Sequence, residues 1–417
     1  MLRVLRNNPG FRRLWYAQVV SQAGDWLNRI AVLTLIGQLG GAGPATAVGA
    51  LYGFELAMRL VPGGLFGPLA GPAADRLPRR AVMVTSDLLR ALIVLGMLLV
   101  EEPGDLGLLY ALLLGQSTLA IFFNTARAGA MPSTVGRDDL HLANALSSAT
   151  WSVMLALGTS LGGLLMLVVD IHGIFWIDAA TYILSALLLL GLRLPPVGEH
   201  PERFRLRDAL LFVELRRGLR HARERGISAV LLAKSLWGPG GGYLVLLSVL
   251  GNTRFAGEEY DLERAGFATG MLYAARGLGT GLGPILGRRW FGEDDHHLAR
   301  QIAGGFAIAA LGYSIVPFVP GLWSACACVA FAHLGGSSIW VASTTLWQRH
   351  AEPEFRGRVY ALELFGMTLS FSLGGFLAGS LFDATVDADL VVWSVSGAVL
   401  VCGCAWSFAA RRLLARD

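Results

Sequence analysis

Apolar residues run along this chain in long blocks, broken by short polar connections. Twelve blocks lie near 12–38, 46–71, 81–100, 106–128, 141–168, 172–192, 228–251, 264–287, 299–317, 320–347, 358–383 and 388–410. A bilayer core about 30 Å thick takes about 20 mainly apolar residues per helix, so each block predicts a transmembrane helix. Period-two alternation, which a membrane barrel requires, is missing. The first block is too long for a cleavable leader, and nothing like a cleavage site follows it. The pattern predicts an all-α membrane protein of twelve transmembrane helices.

The connections carry the basic residues unevenly. With the N-terminus inside, the outward connections hold only Arg254 and Arg264, whereas the termini and inward connections hold 27 basic residues. The positive-inside rule then places both termini in the cytoplasm. An error of one span would destroy this alternation. The longest connection, in the middle of the chain, is rich in Arg and carries an apolar stripe of Leu206, Leu210, Val213 and Leu219. That stripe suggests an interfacial amphipathic helix; a solvated basic linker is the alternative. The domain division is an N-terminal six-helix bundle over 1–194, a cytoplasmic linker over 195–227 and a C-terminal bundle over 228–417.

Composition narrows the function classes. Of 417 residues, 54% are hydrophobic and 15% charged, and the mean hydropathy is +0.55. These values exclude a secreted disulfide scaffold, a disordered chain and most cytosolic enzymes. The pairs Cys326/Cys328 and Cys402/Cys404 sit two apart in apolar runs and read as packing residues, not a metal site. Glu293-Asp-Asp-His-His297 reads as a solvated loop. The run Gly277-Leu-Gly-Thr-Gly-Leu-Gly283 has no preceding strand, which argues against a nucleotide loop. No cofactor, metal, nucleic-acid partner or enzymatic activity is expected.

The two halves repeat. A shift of 216 residues superposes Gly63, Gly67, Pro68 and Gly71 on Gly279, Gly283, Pro284 and Gly287. The same shift carries Gly158, Leu161, Gly163 and Leu165 onto Gly374, Leu377, Gly379 and Leu381. Small residues four apart share one helix face and permit close helix packing in lipid.

The loop Gly71-Pro-Ala-Ala-Asp75-Arg76-Leu-Pro-Arg79-Arg80 resembles the signature loop of the major facilitator superfamily. Segment 19–32, Ser86-Asp87-Leu-Leu-Arg90, Ala143-Asn144-Ala145-Leu146, Ile177-Asp178-Ala179 and Glu352-Pro-Glu-Phe-Arg356-Gly357-Arg358 look like its macrolide and enterobactin exporter branch. The resemblance implies two six-helix pseudo-repeats around a central site, and proton-driven export of drugs, siderophores or other amphiphiles. It gives Asp75 a role in latching the cytoplasmic side, with Gly71 in the motif and Arg76, Arg79 and Arg80 as partners; Asp87, Arg90 and Arg127 extend the latch. A charged loop that only sets topology is the alternative. The family's fifth-span antiporter motif Gly-Pro-x-x-Gly-Gly appears here as Gly158-Thr159-Ser-Leu-Gly162-Gly163. Thr159 in place of Pro removes the usual cause of a helix bend.

Ionisable groups at bilayer depth are costly and mark candidate sites. Asp25 and Arg29 are one turn apart in the first span, and Glu55 and Arg59 one turn apart in the second. Counting from the cytoplasmic ends puts Asp25 level with Arg59 and Arg29 level with Glu55. The expectation is a four-charge cluster coupling proton movement to transport, with Asp25 as carrier; a permanently neutralised packing network is the alternative. Arg276 lies deep in the eighth span, with Glu363 as a prospective partner. Lys234 either binds an anionic substrate group or snorkels to the cytoplasm. Asp178 reads as structural. Trp26, Trp151, Trp237, Tyr243, His333 and Trp340 complete the candidates for a substrate cavity.

The expected function is a proton-coupled secondary exporter of a hydrophobic or amphiphilic small molecule, monomeric in a prokaryotic plasma or inner membrane. A lipid or lysolipid transporter of the same fold is the first alternative, and a non-transporting membrane sensor or scaffold the second.

Overall fold

The computed structural model describes residues 2–41, 48–136, 139–194, 219–257, 261–291, 294–352 and 355–414. Side chains 68–76 and several others at helix ends lie outside the description, as does linker segment 195–218. A short helix, Leu2–Asn7, precedes α1 (Pro9–Leu39), α2 (Gly49–Arg76), α3 (Arg79–Gly96), α4 (Leu106–Ala130), α5 (Leu140–Leu165) and α6 (Ile171–Leu190). After the linker come α7 (Ser228–Asn252), α8 (Leu262–Phe291), α9 (Asp295–Ser314), α10 (Leu322–His350), α11 (Arg356–Thr385) and α12 (Ala388–Leu414).

Local chemistry sets the helix ends. Pro9 occupies the first turn of α1, where its missing N–H costs nothing. Asp170 caps α6 through the Gly173 amide at 2.8 Å, and Asp294 caps α9 through the His297 amide at 2.8 Å. That amide bond holds the Asp294 carboxyl below the usual carboxylate range. α7 breaks after Leu236 and resumes at Gly240, because Pro239 has no amide to continue the ladder.

Among the described residues, nine helices are long and apolar enough to cross a membrane. α1, α2 and α8 are also long, at 31, 28 and 30 residues, but interrupt their apolar runs with charged and polar groups. Outward faces are apolar rather than charged: Leu92, Leu99, Leu187, Val401 and Phe408 are all exposed. A molecule that leaves such faces bare is built for lipid.

Close backbone crossings join the first six helices to the last six. Gly49 of α2 meets Gly379 of α11 backbone to backbone. A Cβ at Gly163 of α5 would stand 3.0 Å from the Gly270 Cα of α8. Asp383 of α11 accepts the first two amides of α2, from Gly49 at 2.6 Å and Ala50 at 2.9 Å. A carboxylate at a helix N-terminus satisfies unpaired amides and faces the positive end of the helix dipole. This end of the bundle is closed. Toward the other end one face of α2 is open: a Cβ at Gly63 or Gly67 would meet nothing within 4 Å among the described residues, while Gly64 still packs on Thr368 of α11.

Asp383→Ala should loosen the closed end by about 0.5–2 kcal/mol, the usual cost of a lost N-cap. Leu56 lies beneath this crossing, 2% exposed and against Gly375. Maleimide labelling of L56C, in a background without the four native cysteines, should speed up several-fold. An unchanged labelling rate would show that Asp383 does not hold this end shut.

Candidate functional site

Two charge clusters occupy the first six helices. In the first, Arg90 of α3 bonds Asp25 of α1 at 2.6 Å and Asp87, one turn before it, at 3.4 Å. Tyr182 of α6 donates its hydroxyl to Asp25 at 2.5 Å and lies flat under the Arg90 guanidinium at 4.2 Å. Ser185, one turn on, donates to Asp87 at 2.6 Å. Asp178 begins the same helix face; it is fully buried, and its Oδ2 has no hydrogen-bond partner among the described residues. A side chain at Gly24 would collide with Asp178 and Thr181, so only glycine lets α1 approach α6 this closely. Of these acids Asp25 alone reaches open space: its side chain is 31% exposed, against 0% for Asp87.

In the second cluster, Glu55 of α2 bonds Arg29 of α1 at 3.3 Å and also Arg59, one turn further along α2. Arg29 stacks on the Tyr273 ring of α8 at 5.3 Å.

The expected four-charge cluster is therefore divided. Arg29, Glu55 and Arg59 do come together, but Asp25 belongs to Arg90. Equal depth was not enough, because α1 packs against α5 and α6 and touches α2 little. α3 packs on α6 and brings Arg90 to the buried side of α1. Arg90 and Asp87 thus lie buried in the bundle interior and bond to Asp25 and Ser185.

Arg127 of α4 donates to Gln18 Oε1 at 2.7 Å and to Ser147 Oγ at 3.4 Å. Arg79 donates to the Gly129 carbonyl at 2.7 Å, and Arg80 reaches the Leu192 carbonyl at 3.4 Å. These bonds tie the open ends of α1, α3, α4, α5 and α6 to one another. Gly71 lies within α2, and the side chains of Asp75 and Arg76 fall outside the described set.

Asp25 borders a cavity of about 470 Å³ between α1, α4 and α5. Trp26 and Trp151 meet edge to face along its wall, with centroids 6.1 Å apart. Gln18, Gln22 and Arg127 supply polar groups. Gly158 packs on the Trp26 side chain and Gly162 on Ile30, which seats α5 on α1; Gly163 seats it on α8. Thr159, standing where a proline was expected, is buried and returns its hydroxyl to the Leu155 carbonyl at 2.6 Å. Such back-bonding bends a helix slightly.

In the last six helices Lys234 of α7 neither snorkels nor stands alone. Its Nζ donates to Glu363 of α11 at 2.8 Å and to Thr344 of α10 at 2.6 Å, and lies over Trp340 at 4.3 Å. Glu363 therefore serves Lys234, not Arg276, since α8 packs on α5 and α10 instead of α11. Trp237 and Tyr243 are core residues: Trp237 meets Phe306 edge-on, and Tyr243 stacks on Tyr313 at 3.7 Å. His333 is buried and bonded to the Tyr313 hydroxyl at 3.0 Å. Of the C-terminal aromatic candidates, Trp340 keeps an exposed face, at 42%.

No His/Cys/Asp/Glu group suited to a metal occurs among the described residues. Asp295 instead binds Arg349 at 2.8 Å and His350 at 2.6 Å, stapling α9 to α10.

The chain has counterparts among known proteins in both sequence and fold. The family model described as Major Facilitator Superfamily matches residues 14–257. The chain belongs to that superfamily. It is a multi-pass membrane transporter, not an enzyme. It is 33% identical to the uncharacterized MFS-type transporter YfiS of Bacillus subtilis over 45% of this chain and 43% of that one. Against the putative bacilysin exporter BacE of Bacillus amyloliquefaciens it is 25% identical, covering 94% of this chain and 93% of that one. Against macrolide efflux protein A of Streptococcus pyogenes it is 23% identical, with the same two coverages of 94% and 93%. Among solved structures, a bacterial homolog to human lysosomal transporter Spinster, in an inward-facing and unoccupied conformation, superposes with a TM-score of 0.71. The identity there is 16%, over 97% of this chain and 98% of that one.

Reading the sequence for depth alone passed over Tyr182, Ser185, Tyr273 and Asp383. The first two carried a signal: Asp178, Tyr182 and Ser185 follow the i, i+4, i+7 spacing of one helix face. Tyr273 and Asp383 act across helices distant in sequence and carried none.

Proposed function

We propose that this transporter exports a hydrophobic or amphiphilic small molecule by alternating access, driven by protons, from a prokaryotic cell membrane. All twelve helices cross, both termini are cytoplasmic, and the two six-helix halves rock about the central site as a monomer. The basic end of the bundle is then the cytoplasmic end, and the open cavity faces inward.

One observation carries the coupling: Asp25 touches the cavity on one side and Arg90 and Tyr182 on the other. With Asp25 ionised, the Arg90 pair is intact. A proton arriving from outside neutralises Asp25, weakens that pair and frees Arg90 toward Asp87. Proton and substrate then both act on α1, and bias it toward opposite states. Trp26 and Trp151 suit a bulky apolar body, and Gln18, Gln22 and Arg127 its polar edge. The loop with Asp75, Arg76, Arg79 and Arg80 closes the cytoplasmic side in the other state. The relatives named as exporters support the direction of transport.

The test is transport into inside-out proteoliposomes under an imposed pH gradient, using a macrolide, a cationic dye and a fluorescent lysolipid. The gradient should drive accumulation of the macrolide or dye, with substrate-dependent proton movement. Movement of the lysolipid alone would favour the lipid alternative. Absence of any substrate-dependent proton flux would refute proton-coupled export and leave the sensor or scaffold reading.

A further inference from the structure

Buried charges in the first six helices fall into two groups, and Lys234 pairs with Glu363 in the last six. Asp25 of α1, Asp87 of α3 and Asp178 of α6 gather around Arg90, with Arg59 also in electrostatic reach of Asp178. Arg29, Arg59 and Arg276 lie toward the interface of the two halves, and Glu55 is the carboxylate bonded there. Glu55 serves Arg29 and Arg59. Arg276, near the middle of α8, makes no ion pair among the described residues, and its buried Nε has no hydrogen-bond partner.

The groups facing Arg276 are Arg29, Tyr273, Tyr313 and His333, none of them an acid. Its guanidinium rests on the Tyr273 ring at 5.8 Å, and Arg29 addresses the same ring at 5.3 Å. Tyr313 and His333 are engaged with each other at 3.0 Å. Glu363, the carboxylate expected to neutralise Arg276, is held by Lys234 at 2.8 Å. Arg276 as a residue is only partly buried, while its Nε is buried. Two guanidiniums on one aromatic ring repel each other. An uncompensated charge at this depth is costly, and a guanidinium fork matches a carboxylate or phosphate in geometry as well as charge.

We infer that Arg276, seated on Tyr273 beside Arg29, recognises an oxyanion head group, a carboxylate or a phosphate, on the transported amphiphile. This deepens the export reading and rests on it for the word transported. The bound anion supplies the charge that Glu55 cannot. It lies at the crossing of α1 and α8, so its arrival draws the two halves together.

The test uses the full chain in nanodiscs of neutral lipid, with tryptophan fluorescence reporting binding. The probes are decanoate, decyl phosphate, inorganic phosphate and decyltrimethylammonium. An anionic decyl probe should bind at least about tenfold more tightly than the cation, roughly the worth of one charge-assisted hydrogen bond. R276Q should lose that preference, and R276K should keep part of it. Equal binding of both decyl probes, or an anion affinity unchanged in R276Q, overturns the inference. Inorganic phosphate binding as tightly as decyl phosphate keeps the oxyanion site and overturns its assignment to an amphiphile. If the anion preference stands while wild-type protein shows no proton-coupled transport, only the export reading fails. If R276Q changes nothing while proton-coupled export persists, only this inference fails.

Discussion

Asp25→Asn should reduce pH-driven transport to the level of liposomes without protein while leaving the chain folded and able to bind substrate. The amide keeps the size of the carboxylate and still accepts a hydrogen bond from Tyr182. It cannot alternate between charged and neutral forms, so the pair with Arg90 is fixed in its weakened state. Asp87 stays within reach of Arg90, at 3.4 Å, and prevents that guanidinium from being left as a bare buried charge. Substrate-dependent proton movement in proteoliposomes is the measurement, with substrate exchange at equal pH on both sides as the control. Gradient-driven transport as fast as wild type would remove Asp25 from the coupling. Loss of both gradient-driven transport and exchange would make its role structural.

The second large effect is on stability. Lys234→Met should cost about 3–5 kcal/mol, the usual penalty for removing one partner of a buried pair. Lys234 and Glu363 have side chains only 3% and 1% exposed, so the carboxylate left behind has no water to turn to. The double variant K234M/E363M should recover to within about 1 kcal/mol, because two apolar side chains of similar volume fill the space without a charge. Denaturant titrations of the purified protein check both figures. A double variant as unstable as the single one would mean that Thr344 and Trp340, not the ion pair, set the cost. Transport by a stable double variant would assign the pair to architecture.

The fold was legible because lipid leaves helices few alternatives: length, apolarity and the distribution of Arg were enough to draw them. The pairing of charges was not. Depth along a helix can be counted from the sequence, and the count brought Arg29 to Glu55 correctly. Azimuth cannot be counted without knowing the neighbour. Asp25 and Arg29 share a helix, yet one is drawn to α3 and the other to α2. Glu363 went to Lys234 for the same reason: facing helices, not equal depths, select partners. Trp237 and Tyr243 misled as cavity residues because a buried aromatic and a cavity aromatic have the same sequence signature.

The closed end has a consequence of another kind. Gly49 against Gly379 and Gly163 against Gly270 are contacts between bare backbones. Dispersion at such a contact falls by a quarter to a half over about 0.5–1 Å. Asp383 offers two hydrogen bonds of equally short range. Partial separation therefore forfeits a sizeable share of the attraction before any new contact replaces it. The outer seam behaves as a snap fastener: engaged or released, with sparse occupancy between, and with a release threshold that one added methyl group at any of these four glycines would shift.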